Sequence, residues 1–124
     1  MQTWNVADRE VPMGHPEVLF SHDGGRAVAI HLEPDRELGE HQVHESAWLI
    51  VARGRVRVAD AAGASAELGP GGLAFFDPKE RHEVHAIEDS MILLLLTPWP
   101  GPGRDRWRQD GEADSSRASG VANR

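Results

Sequence analysis

Two histidines three residues apart, His41 and His44, followed at once by Glu45, form the densest group of metal-ligating or acid/base side chains in the chain. They lie in Leu38-Gly-Glu-His-Gln-Val-His-Glu-Ser-Ala47, directly before the apolar run Trp48-Leu-Ile-Val-Ala52 and a turn at Gly54. Imidazole nitrogens and a carboxylate can hold a first-row transition metal or move a proton. The chain has no cysteine, so disulfides, thiolate sites and a cysteine nucleophile are excluded, and only nitrogen and oxygen ligands remain. It also has no tyrosine, which removes the histidine–tyrosine pairing of acid/base epimerisation.

The elements that must position these groups read as strands. Arg26 to Glu33 alternates, with Val28, Ile30 and Leu32 on one face and Ala27, Ala29 and His31 on the other. Trp48 to Ala52 is continuously apolar, as expected of a strand covered on both sides. Further strands are expected over Met1 to Val6 (docking Trp4), Glu17 to Phe20, around Val56 and Val58, Leu73 to Phe76, His82 to Ile87 and Met91 to Thr97. Turns are marked by Ser21-His-Asp-Gly-Gly25, Arg53-Gly-Arg55 and Leu68-Gly-Pro-Gly-Gly72. With no helical period of ten residues anywhere, the pattern is all-β, a sandwich or barrel.

At 124 residues the chain holds one core. The net charge is −7. Residues 1–100 carry 16 Asp/Glu against 8 Lys/Arg, so the acidity belongs to the folded part. An acidic surface without a basic stripe argues against nucleic acid and against anionic membrane as partners. The longest apolar run, Met91 to Leu96, is too short to span a bilayer, and no leader-like segment opens the chain, so a cytoplasmic, bacterial-type protein is expected. Beyond Pro98-Trp-Pro-Gly-Pro the composition turns polar, and disorder is expected from about residue 109.

Gly72, five residues, Pro78 and then His82 resemble the second motif of the cupins, the RmlC-like jelly-roll family, with Glu80 where glycine is usual and a loop one residue shorter. The first motif is matched through His41 and Gly54. Val43 stands at the partner histidine, with His44 one residue later. Ala47 stands at the metal-binding glutamate, and Ala86 at the asparagine after His82. The resemblance covers roughly residues 15–98 and implies a double-stranded β-helix, or jelly-roll barrel, over residues 1–100, with 101–124 as a tail. It further implies that His41 and His82 face one cavity from adjacent strands. The expected metal ligands are His41, His44 and His82, with Glu45 as the nearby carboxylate. A chain bulge between His41 and Ala47 would bring His44 to the same face.

The ion would be a divalent transition metal (Zn, Fe, Mn, Ni or Cu), serving a small-molecule dioxygenase or isomerase. The competing reading is a metal-free module that binds or senses a small molecule in the same pocket. His31 reads as a core histidine with its polar atoms satisfied, and Trp48, Phe75, Phe76 and Met91 as core. Arg53, Arg55 and Arg57 read as a solvated strand face. Met91–Leu96 and Trp4 are apolar surfaces that need cover, and a homodimer is expected.

Overall fold

The structure is a computed structural model that describes residues 1–41, 45–97, 103–104 and 106–107, with the side chains of residues 39–41 and of the last four excepted. A short 3-10 turn, Val6–Asp8, is followed by β1 (Glu17–His22), β2 (Gly25–Leu32), β3 (Glu37–His41), β4 (Ser46–Arg53), β5 (Val56–Asp60) and β6 (Ser65–Leu68). Then come β7 (Leu73–Phe76), β8 (His82–Ala86), β9 (Ser90–Thr97) and a minimal pair, β10 (Gly103–Arg104) with β11 (Arg106–Trp107). All pairings are antiparallel. One sheet runs β1-β2-β9-β4-β7 and the other β3-β8-β5-β6. Among the described residues no helix is long and apolar enough to cross a membrane.

Two-residue periodicity builds the core. Val28, Ile30 and Leu32 of β2, Ala47, Leu49 and Val51 of β4, Val56 and Val58 of β5, and Val84 and Ala86 of β8 point between the sheets and pack with Phe76 and Ile92. Each fully buried aliphatic side chain here contributes about 1.5–3 kcal/mol relative to an exposed one.

The opening residues do not form the expected strand: Met1–Asn5 are irregular and lead into the 3-10 turn. This segment instead straps the outer face of the five-stranded sheet. Val11 is buried there on Ala29 and Met91, with Val6 beside them. Arg9 donates to both carboxylate oxygens of Glu17, at 3.1 and 2.7 Å, and holds that carboxyl below its ordinary range. The expectation that Trp48–Ala52 is covered on both sides is also corrected. Along β4, Ala47, Leu49 and Val51 are buried, whereas Trp48 is 39 % exposed and Ile50 half-buried, because the strap does not reach this end of the outer face. Trp48 and Phe75 are thus an exposed, tilted aromatic pair rather than core, with ring centroids 4.8 Å apart, while Phe76 and Met91 are buried as expected.

Bulges interrupt the ladders where side chains must be re-aimed. Leu38 pairs with Val84 and His41 with His82, so three steps of β3 oppose two of β8. One extra residue therefore lies between Leu38 and His41. A second bulge, at Ala52, brings Arg53 opposite Met91. The tail expected to be disordered from about residue 109 lies outside the described residues.

Candidate functional site

β8 begins at His82, which is only 4 % exposed. Its ring lies flat on Phe76, with centroids 3.9 Å apart and planes 12° from parallel. Nδ1 lies 3.1 Å from the Glu80 carbonyl oxygen. A carbonyl can only accept, so Nδ1 carries the proton in the neutral ring and Nε2 is the basic nitrogen. A backbone carbonyl holding one nitrogen while the other serves as donor atom is the arrangement of a metal-ligating histidine.

The loop before His82 explains one departure from the family motif. Lys79 has φ 67°, so the left-handed corner falls one residue before the position where the family places glycine. Glu80 needs no such freedom. Its carboxylate accepts the Asp77 N–H at 2.9 Å and closes the turn.

β3 brings His41 directly opposite His82, through the bulge after Leu38. Directly paired residues of an antiparallel ladder share a face. If the chain at this length paired without the bulge, His41, three residues from Leu38, would fall out of phase with Leu38 and Val84, which pack inward. Sequence reasoning placed a bulge after His41; the structure has one before it. The side chain of His41, and His44 with Gln42 and Val43, lie outside the described residues, as does most of the segment in which the later bulge was expected. Among the described residues no three His, Asp or Glu side chains form a cluster able to hold a metal. Glu45 is half-buried immediately before β4. Ala47, at the family's glutamate position, is 2 % exposed and pairs with Phe76 on one side and Leu96 on the other. Phe76, read from the sequence as core, is buried and also forms the wall joining the two motif positions.

A separate polar cluster sits on the outer face. His31, read from the sequence as a core histidine, instead lies half-buried on the outward side of β2, opposite the face of Ile30 and Leu32. It is nevertheless satisfied: Nδ1 is 3.0 Å from the Val11 carbonyl, and Nε2 is 3.0–3.1 Å from the two Asp89 oxygens. Arg53, re-aimed by the Ala52 bulge, donates to Asp89 at 3.0 Å and to the Ala7 carbonyl at 2.6 Å. His31 and Arg53 thus hold the strap at Val11 and Ala7. Asp89, which composition and spacing did not single out, is the anion between them. Arg55 reaches Glu67 at 3.5 Å, as a solvated strand face would, and His85 pairs with Glu37 at 3.1 Å.

The Arg53 hydrogen bond, followed by that of His31, holds the Asp89 carboxyl below its ordinary range. A carboxyl depressed in the folded state stabilises the fold above its unfolded pKa, near 4, and that contribution is lost as pH falls through the folded value. Asp89→Asn is therefore expected to lower stability at neutral pH by up to about 1 kcal/mol, because the group is half exposed and screened. The difference from wild type should close as pH drops below about 4. Urea titrations at neutral pH and at pH 3 check this, and a gap that stays constant with pH would contradict it.

The comparisons with known proteins agree with this architecture. Two antiparallel sheets closed as a double-stranded β-helix define the class. Residues 28–98, more than half of the chain, match the cupin domain, and the chain belongs to that family. No curated protein sequence matches it. Among solved structures it is similar to an RmlC-like cupin from Desulfovibrio desulfuricans (17 % identity, TM-score 0.71, covering 79 % of this chain and 97 % of the other). A protein with a double-stranded β-helix domain from Klebsiella pneumoniae matches with 20 % identity and TM-score 0.68, over 79 % and 90 % of the two chains. The DMSP lyase DddQ from Ruegeria pomeroyi matches with 17 % identity and TM-score 0.63, over 67 % of this chain and 46 % of the lyase. At these identities the likeness is one of fold.

Proposed function

We propose that this cupin binds a divalent transition metal (Zn, Fe, Mn, Ni or Cu) through His41, His82 and His44, and uses it on a small molecule held in the barrel. The single observation that supports the reading is the register of His41 on His82, reached only through a bulge, together with the Glu80 carbonyl on Nδ1 of His82. Glu45 is the nearby carboxylate, either as a further ligand or holding a histidine tautomer. The bound ion would supply Lewis-acid polarisation or open positions for a substrate oxygen, the chemistry of a small-molecule oxygenase, isomerase or lyase. The chain's own part is to present Nε2 of His82 on a rigid ring and to wall the site with Phe76 and Ala47. Lyase chemistry of the kind named for the Ruegeria pomeroyi protein is one member of this class. The surface charge favours no nucleic acid as partner.

Replacing the family glutamate by buried Ala47 beside Phe76 favours a second reading, a metal-free binding module with an apolar pocket. Elemental analysis of untagged protein purified without chelator separates the two. Near-stoichiometric metal supports the first; its absence, with melting unmoved by added Zn, Mn, Fe, Ni or Cu, supports the second. His82→Ala is expected to reduce metal content at least tenfold, since a ligand and its carbonyl support are both lost. Unchanged stoichiometry in that variant removes His82 from the site.

A further inference from the structure

We propose that a cavity between the end of β2 and the start of β3 binds a small organic cation, an ammonium group carrying a short alkyl body, apart from the histidine site. Strand lengths leave this place open. β1 begins at Glu17, opposite Ala29, so Ile30, His31 and Leu32 run on past the end of β1. The chain ahead of β1 does not close the gap as a strand. After Val11, which is buried on Ala29 and Met91, Pro12-Met13-Gly14-His15 turns. The His15 N–H donates to the Pro12 carbonyl at 3.3 Å, and Gly14 takes φ 79°, as the third position of a type II turn requires. The turn roofs the gap rather than filling it, and beneath it lies a cavity of about 250 Å³.

The floor of this cavity is apolar. Ile30 and Leu32 are buried there, with Leu38 beside them. Met13, 46 % exposed, lies over the floor, and its unbranched side chain adapts to what sits beneath it. The cavity lies at the far end of the β3–β8 ladder from the histidines. His41 pairs with His82 at one end. At the other, Glu37 pairs with His85, and the Asp35 N–H donates to the Ala86 carbonyl at 2.8 Å. Three residues of extended chain, about 10 Å, separate His85 from His82, so the cavity is independent of whether the barrel holds metal.

The rim sets the charge of the occupant. Glu33, Arg36 and Glu37 line the cavity, and Asp35 lies among them in the chain, so the segment carries three carboxylates against one guanidinium. Arg36 reaches only Glu33, at 3.5 Å, while Glu37 and Asp35 flank His85 at 3.1 and 3.6 Å. Even a charged His85 leaves this rim negative. On the strap side, Arg53 and Asp89 offset each other, and both nitrogens of His31 are taken by the Val11 carbonyl and Asp89. The excess is therefore negative, in a chain of net charge −7, and such a rim attracts a cation and repels an anion. An apolar floor with a few polar groups at its edge suits an alkyl body. At about 30 Å³ for each water displaced, the space holds roughly eight non-hydrogen atoms.

Titration of the full chain with n-hexylammonium and with hexanoate, in the presence of EDTA so that no metal takes part, tests the assignment. Saturable amide shifts in NMR spectra are expected at Ile30, Leu32 and Leu38 with hexylammonium, at a dissociation constant of about 1 mM or below that rises with added salt. Hexanoate, with the same alkyl body and the opposite charge, should bind at least about tenfold more weakly. The double variant Glu33→Gln, Glu37→Gln should weaken hexylammonium about tenfold, and Arg36→Gln should tighten it. All three side chains are exposed, and circular dichroism checks that the variants are folded. The absence of saturable shifts at the floor residues, hexanoate bound as tightly as hexylammonium, or a double variant with unchanged affinity for the cation would each overturn the proposal.

Discussion

An Ala47→Glu variant will melt well below the wild type when metal-free and recover most or all of the loss when a divalent transition metal is added. Ala47 is 2 % exposed, between Phe76 and Leu96 on the neighbouring strands. A carboxylate placed there loses its water and has no partner, at a cost of about 3 kcal/mol or more, part of it relieved by protonation. The position is the one from which the family's glutamate reaches its metal, and it lies on the same wall as His82 through Phe76. If His41, His44 and His82 converge as proposed, an ion supplies the missing countercharge. Saturation at a hundredfold over the dissociation constant returns about 2.7 kcal/mol. Thermal melts with and without added zinc provide the check. Equal destabilisation in both conditions would show that the histidines do not gather beside residue 47.

Gly54→Ala is the second large effect, and it arises away from the site. Gly54 has φ 88°, a region that costs a residue with a Cβ about 1–2 kcal/mol. A Cβ there would also overlap the Asp89 carbonyl oxygen and the hydroxyl of Ser90, and would stand 2.6 Å from the Ser90 Cα. Backbone cannot move aside as a flexible side chain can. Ser90 is itself fixed: fully buried, it accepts the Arg55 N–H at 3.0 Å and donates to the Glu88 carbonyl at 2.7 Å. Strain and overlap together amount to about 3 kcal/mol or more, a fall of about 10–20 °C in melting temperature for a domain of this size. The Asp89–Arg53 bridge should loosen with it, exposing the N-terminal strap. A melting temperature within a few degrees of wild type would contradict this account.

Most of the fold is legible in the residues because the physics behind it is local. Alternation in Arg26–Glu33 and the turn chemistry of Gly-Pro-Gly at 69–71 depend on neighbours in sequence, and Gly71 takes positive φ where the turn demands it. What was not legible is non-local. A continuous apolar run such as Trp48–Ala52 cannot say whether its outer side will be covered, since that depends on how far a strap from residue 11 or earlier extends. Phe75 and Phe76 are identical in type and adjacent, and only the pleat decides which stacks on His82 and which faces outward. Asp89 gave no signal at all, because its importance comes from Arg53 and His31 meeting across a bulge. At the site the histidines were visible, but their phasing was not: one extra residue in β3 carries no compositional mark.

That extra residue separates the count of ladder positions along β3 from the count of residues. Counting from Leu38, a regular strand puts residues 40 and 42 in step with the core, and only the insertion hands that place to His41. Removing one residue between Leu38 and His41 would take out the bulge and leave His41 two residues from Leu38, still in step with the core and still opposite His82. In a barrel of this kind a chain one residue shorter here can set its histidine on the same rung without a bulge, so corresponding histidines are matched by their place on the ladder and not by their spacing in sequence.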